Sequence, residues 1–178
     1  MDVRKRKIIS SRAGGSSSKN SKTYKISLPT SWVSKLGVSE DKKEVMLYFS
    51  DDEIIIKPNL SLDEFIQKAK SKHHNLLQLD YYDRDTLCTV IVANYTAKEV
   101  KFVNLTDNAI KRAFGILDYV TWEKYENFLE ERCVPKNRAN IKDYLKGIGL
   151  LEYNPLEIIM KTQGIMAEDE QWIEVKRL

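Results

Sequence analysis

The stretch KTYKISLPTSWVSKLGV, residues 22–38, decides how the front of this chain is read. Tyr24, Ile26 and Leu28 alternate with Lys25 and Ser27, the period of a half-buried strand. Pro29 has no N–H to give a ladder, so it ends the strand and can open a helix. Trp32, Val33 and Leu36 share one helical face, and Gly37 suits the C-terminal cap. A strand, a short helix and a glycine stop are too little to bury a core, so the flanks must complete the unit.

On the N-terminal side, Lys7-Ile8-Ile9-Ser10 reads as a first strand. The following RAGGSSSKNSK, residues 12–22, has the composition of a flexible loop. On the C-terminal side, the polar turn SEDKK leads to EVMLYF and EIIIKP, two strands around the turn at residues 50–52. The predicted order is strand, loop, strand, short helix, strand, turn, strand, ending at Pro58.

Charge is unevenly spread. Residues 1–40 carry nine basic residues against Asp2 and Glu40, while the whole chain has a net charge of only +3. The remaining 138 residues are therefore mildly acidic, at −4. A basic front on an acidic body points to a polyanionic partner for the front. The plainer account is a solvated basic tail.

Residues 5–58 resemble the AbrB/MazE/SpoVT family of swapped-hairpin DNA-binding domains. The resemblance rests on ISLPTSWVSKLGV, the polar turn after it, and EVMLYFSDDEIIIKP. It implies a domain at 1–58 in which two chains exchange hairpins to close one β-barrel. About 50 residues with four short strands bury little apolar surface alone. Two copies would share a core of Ile26, Leu28, Leu36, Val45, Leu47, Ile54 and Ile56. The resemblance also implies DNA contacts from Lys5, Arg6 and Lys7 on the first strand and from Arg12, Lys19 and Lys22 on the loop. Lys25 and Lys35 complete the implied set. Val33 and Ser34 stand where such helices often carry basic residues, so the loop cations are expected mainly on phosphates. Arg6 and Arg12 are the candidates for bidentate guanine contacts.

From Ser61 the pattern changes. Ser61 and Glu64 form a capping box before Phe65, Ile66 and Ala69, predicting a helix over 61–71. TLCTVIVANYTAKEVKFVNL, residues 86–105, reads as a hairpin, and DNAIKRAFG as a short helix closed by Gly115. TWEKYENFLEERC, NRANIKDYLKGIG and PLEIIMKTQG follow as helices, and EQWIEVK as a last short strand. The expected fold is thus α+β: a dimeric barrel at 1–58, then a mixed, mainly helical domain with a small hairpin at 59–178. Residues 128–173 look like an uncharacterised domain of phage and mobile-element proteins of Gram-positive bacteria, a resemblance that implies no site.

Catalytic and metal patterns are weak. His73, His74, Cys88 and Cys133 match no zinc spacing, and a polar helix end with buried thiols explains them better. Glu130-Glu131 and Glu168-Asp169-Glu170 read as solvated charge runs rather than metal ligands. No phosphate-cradling glycine loop or nucleophile motif is present. Trp122, Trp172, Tyr125, Tyr144 and Tyr153 read as core aromatics. No apolar run approaches the roughly 20 residues of a membrane span, and two cysteines suit a reduced cytoplasmic protein. The expectation is no enzyme and no cofactor. It is a homodimeric DNA-binding regulator, acting as a repressor or autorepressor. The alternative is an antitoxin or phage-type inhibitor whose second domain binds a toxin or a host defence protein.

Overall fold

A computed structural model describes residues 2–12 and 21–178. The chain divides into two compact units, one ending at Asn59 and the other running from Leu60. The described residues form five α-helices and three antiparallel sheets, an α+β architecture. No closed barrel forms among them, and no described helix is long and apolar enough to cross a membrane.

In the first unit, β1 (Ile9–Arg12) pairs with β2 (Lys22–Lys25). The first strand starts two residues later than Lys7, so Lys5, Arg6 and Lys7 lie in the irregular run before it. Pro29 then caps α1 (Thr30–Lys35), whose Trp32 and Val33 amides both donate to the Pro29 carbonyl. The helix stops as its sequence predicts. Gly37 takes φ +71°, its N–H donates to Ser34 O, and Val38 N–H reaches Val33 O at 3.2 Å. These two bonds form a Schellman cap, which needs a left-handed residue that glycine adopts without strain.

A hairpin of β3 (Val45–Ser50) and β4 (Glu53–Pro58) ends the unit. Ser50 pairs with Glu53, leaving a two-residue turn whose Asp51 takes φ 52°, a conformation that Asp tolerates. The register puts Val45, Leu47, Phe49, Ile54, Ile56 and Pro58 on one face.

In the second unit, Ser61 caps α2 (Leu62–Lys70) through a complete capping box. Glu64 N–H donates to Ser61 Oγ at 3.2 Å, and Ser61 N–H to Glu64 Oε2 at 2.8 Å. Ser61→Ala is expected to destabilise this unit by about 1 kcal/mol, measured by urea unfolding. An unchanged midpoint would mean that the cap is redundant with the packing of Phe65 and Ala69.

The expected small hairpin is one side of a larger sheet. Strands β5 (Leu76–Asp83), β6 (Thr86–Asn94), β7 (Glu99–Asn104) and β8 (Gln171–Arg177) are ordered β7-β6-β5-β8, each pair antiparallel. The unit is therefore sheet and helix in similar measure, not mainly helical. Leu77, Leu79 and Tyr81 of β5 and Ile91 and Ala93 of β6 face the main core. There they meet Tyr125, Phe128 and Leu129 of α3 (Trp122–Glu131), Leu145 of α4 (Ile141–Gly147), and Ile158 and Ile159 of α5 (Pro155–Thr162). On the other face, Leu76 and Val92 pack under Phe65 and Ala69 of α2. Full burial of side chains such as Ile91 and Ile158 contributes about 1.5–3 kcal/mol each. The expected helix at 107–115 is a single 3-10 turn, Ala109–Lys111, within a long connection.

Four of the five aromatics fall at the core as read, while Trp172, half-buried on β8, lies outside it. Tyr125 is fully buried, Trp122, Tyr144 and Tyr153 flank the core, and Trp172 stacks on Tyr82 at 4.2 Å between ring centroids. Cys88 and Cys133 are buried free thiols, and desolvation pushes Cys133 up to about 12. His74 bonds Asn94 at 3.0 Å.

In the acidic run 168–170 Glu168 and Glu170 are exposed, as read, but Asp169 is half-buried and held. Arg132, at the end of α3 and only 7% exposed, holds Asp169 with two bonds of 2.5 and 3.1 Å. The same guanidinium donates to the carbonyls of Gly164, at 2.7 and 3.1 Å, and of Gln171, at 2.7 Å. Glu170 pairs with Arg84. Glu130 and Glu131 are exposed, as read.

Candidate nucleic-acid interface

The basic front of the chain is carried on three short elements. Residues 2–8 lead into β1 without regular structure, exposing Lys5, Arg6 and Lys7. Arg12 closes β1 directly across from Lys22, which opens β2. Two like charges at a cross-strand position repel. An anion placed between them would relieve that cost. Lys25 sits opposite Ile9, one residue on from the Ser10–Tyr24 pair, and so on the other face of the ribbon from Arg12 and Lys22. Lys35 lies in the last turn of α1. Lys19 lies outside the described residues. All seven described cations of the expected set are exposed, and none forms an ion pair among the described residues.

Sequence reasoning missed a second group. The Asp2 carboxylate accepts a hydrogen bond of 2.8 Å from the indole N–H of Trp32, on α1. It also accepts from Arg4, at 3.2 Å from Nη2 and 3.5 Å from Nε. The Arg4 guanidinium lies 5.8 Å from the Trp32 ring centroid. The indole bond first, and the arginine bonds next, hold the Asp2 carboxyl below its ordinary value. The run Arg4-Lys5-Arg6-Lys7 flags Arg4 as basic, but nothing in the sequence ties residue 2 to residue 32.

Apolar surface completes the picture. Among the described residues of this unit only Pro29 is buried. Leu47, Phe49 and Ile54 are 65, 76 and 71% exposed, and all three lie on the one apolar hairpin face. Ile26 is exposed as well, so the shared-core residues do not form a core within one copy.

Among the described residues no three His, Cys, Asp or Glu side chains gather to hold a metal ion. No family model matches this chain, and no curated protein or solved structure does either.

Proposed function

We propose that this chain is a DNA-binding transcriptional regulator that acts as a homodimer, with operator occupancy by the first unit repressing transcription, including that of its own gene. The observation that carries the reading is the exposed hairpin face of Leu47, Phe49 and Ile54, in the same unit as a basic set without ion-pair partners among the described residues. Each such side chain gains about 1.5–3 kcal/mol on burial, and a second copy of the hairpin is the self-complementary surface at hand. In the swapped-hairpin arrangement of AbrB/MazE/SpoVT proteins, two copies would close one barrel and bring two basic arms to one face of the DNA.

The full-length protein is accordingly expected to sediment as a dimer and to retard DNA carrying its own promoter. Phe49→Asp puts an uncompensated charge in the shared core and is expected to give a monomer that no longer binds that DNA. A wild-type monomer in sedimentation, or a Phe49→Asp variant that still dimerises, refutes the arrangement.

A second reading is favoured by one feature of the second unit. The connection from β7 to α3 exposes Leu105, Ile110, Ile116 and Tyr119, with Ile110 and Ile116 more than four-fifths accessible. Part of it, with α3, lines a groove of Ala113, Phe114, Leu117 and Phe128 together with Lys124, Asn127 and Glu131. Exposed apolar side chains beside a mixed groove suit a protein partner. This would be the toxin or host protein of an antitoxin or phage-type inhibitor. Absence of binding to promoter and scrambled DNA alike at low salt would put this reading first.

A further inference from the structure

The group formed by Asp2, Arg4 and Trp32 has the composition of an occupied anion site. Its donors are a guanidinium edge and an indole N–H, and they converge on the two oxygens of one carboxylate. A phosphodiester presents the same feature to donors: two non-bridging oxygens, acceptors only, sharing one negative charge. Arginine's planar fork accepts either anion. The surroundings favour the phosphate. Asp2 is the single acidic residue before Glu40, among nine basic ones.

We infer that Arg4 and Trp32 form a phosphate-binding pair, and that Asp2 occupies it in the free protein until a DNA backbone phosphate takes its place. This rests on the DNA-binding reading above.

The relative strengths allow the exchange. Asp2 and Arg4 are about half exposed, and an exposed ion pair two residues apart in the chain is weakly held. Phosphates along a duplex arrive at high local density, drawn by Lys5, Arg6 and Lys7, which follow Arg4 directly. Trp32 adds specificity to the pair. Its indole N–H can only donate, and its ring lies under the guanidinium, so Arg4 stays oriented when the carboxylate leaves. Asp2 thereby acts as a built-in competitor. It lowers affinity for every DNA sequence equally, because a phosphate contact carries no base information.

The test compares full-length wild type with Asp2→Ala, using Asp41→Ala as a control for the same change in net charge. Asp41 lies in the turn after α1, with no hydrogen bond or ion pair to the described residues. On promoter DNA at 50 mM salt, Asp2→Ala is expected to bind tighter on the order of fivefold, and Asp41→Ala by less than about twofold. Once Asp2 is displaced the phosphate contact is the same in both proteins, so the salt slope of Asp2→Ala should match that of wild type and the advantage should persist at 200 mM. Adding Trp32→Phe to Asp2→Ala should cancel the gain.

A second measurement uses inorganic phosphate alone, followed through the Trp32 indole N–H resonance. That resonance should shift saturably in Asp2→Ala and much less in wild type. If wild type binds DNA but Asp2→Ala gains no more than Asp41→Ala, the inference is overturned and the DNA-binding reading stands. If no variant binds DNA but the indole resonance of Asp2→Ala still responds to phosphate, the anion pair stands and the DNA-binding reading falls. A resonance indifferent to phosphate in both proteins overturns the inference regardless of DNA.

Discussion

Between 50 and 200 mM salt, affinity for promoter DNA is expected to fall by about three to five orders of magnitude. The first 40 residues supply nine cations per copy, and a dimer doubles them. With about six to ten of these at phosphates, counterion release gives a loss of that size. Scrambled DNA should lose affinity with nearly the same slope, because the term is indifferent to sequence. Arg12→Ala removes one of the two facing cations at the Arg12–Lys22 pair in each copy and should lower the slope of the dimer by about two. If Arg6 or Arg12 reads a guanine, its replacement by Ala should cost about 1–3 kcal/mol on the promoter and much less on scrambled DNA. The measurement is a salt series on both duplexes. Affinity that is flat in salt would leave the basic front without an electrostatic role.

The second large effect concerns the stability of the second unit. Arg132→Ala is expected to destabilise the second unit by about 3–5 kcal/mol, because it strands a partly buried carboxylate and two carbonyls that the guanidinium now satisfies. The backbone at Gly164 comes close to Arg132. A Cβ on Gly164 would lie 3.3 Å from Arg132 Cβ, and Gly164 sits at φ +60°. Urea unfolding of the full chain would mix two units, so the reading should come from Trp122 and Trp172 in a Trp32→Phe background. The bonds from Arg132 hold the Asp169 carboxyl below its ordinary value. A depressed folded pKa contributes stability that is fully present above the unfolded value and is lost as pH falls through the folded one. The acid limb of the stability curve should therefore flatten in Arg132→Ala in the region below the ordinary Asp range. A loss under 1 kcal/mol with an unchanged acid limb would mean that the guanidinium is not what joins α3 to β8.

Much of the local structure was legible because the signal was local. The Ser61–Glu64 box, the Pro29 start and the Gly37 stop each depend on residues within one or two turns, and each formed as its chemistry requires. Strand β5 was not legible. Leu76, Leu77, Leu79, Asp80 and Tyr81 are all buried, so the apolar run shows no clean alternation and carries no period to detect. The segment at 107–115 has helix-forming residues, but Phe114 is drawn into ring contacts with Phe102 and Phe128, and only one 3-10 turn survives. In the candidate interface, charge counting found the cations but not their arrangement. The Arg12–Lys22 pair needs the strand register, and the indole bond joins residues 30 apart. Arg132 and Asp169 are 37 apart, so nothing local in the acidic run marks Asp169 as the one member that is held.

The order β7-β6-β5-β8 also sets a timetable during synthesis. Strand β5 meets β6 across a tight turn, but its other edge waits for β8, where Asp83 meets Gln171 about 90 residues later. At 5–20 residues per second, a ribosome takes roughly 4 to 18 s to make that interval. Throughout it, β5 offers an unpaired apolar edge to any neighbouring nascent chain. The first unit has no such wait, since β3 and β4 are joined by two residues. Slower translation between residues 84 and 170 should therefore lower the yield of correctly folded second unit while leaving the first unit's hairpin untouched.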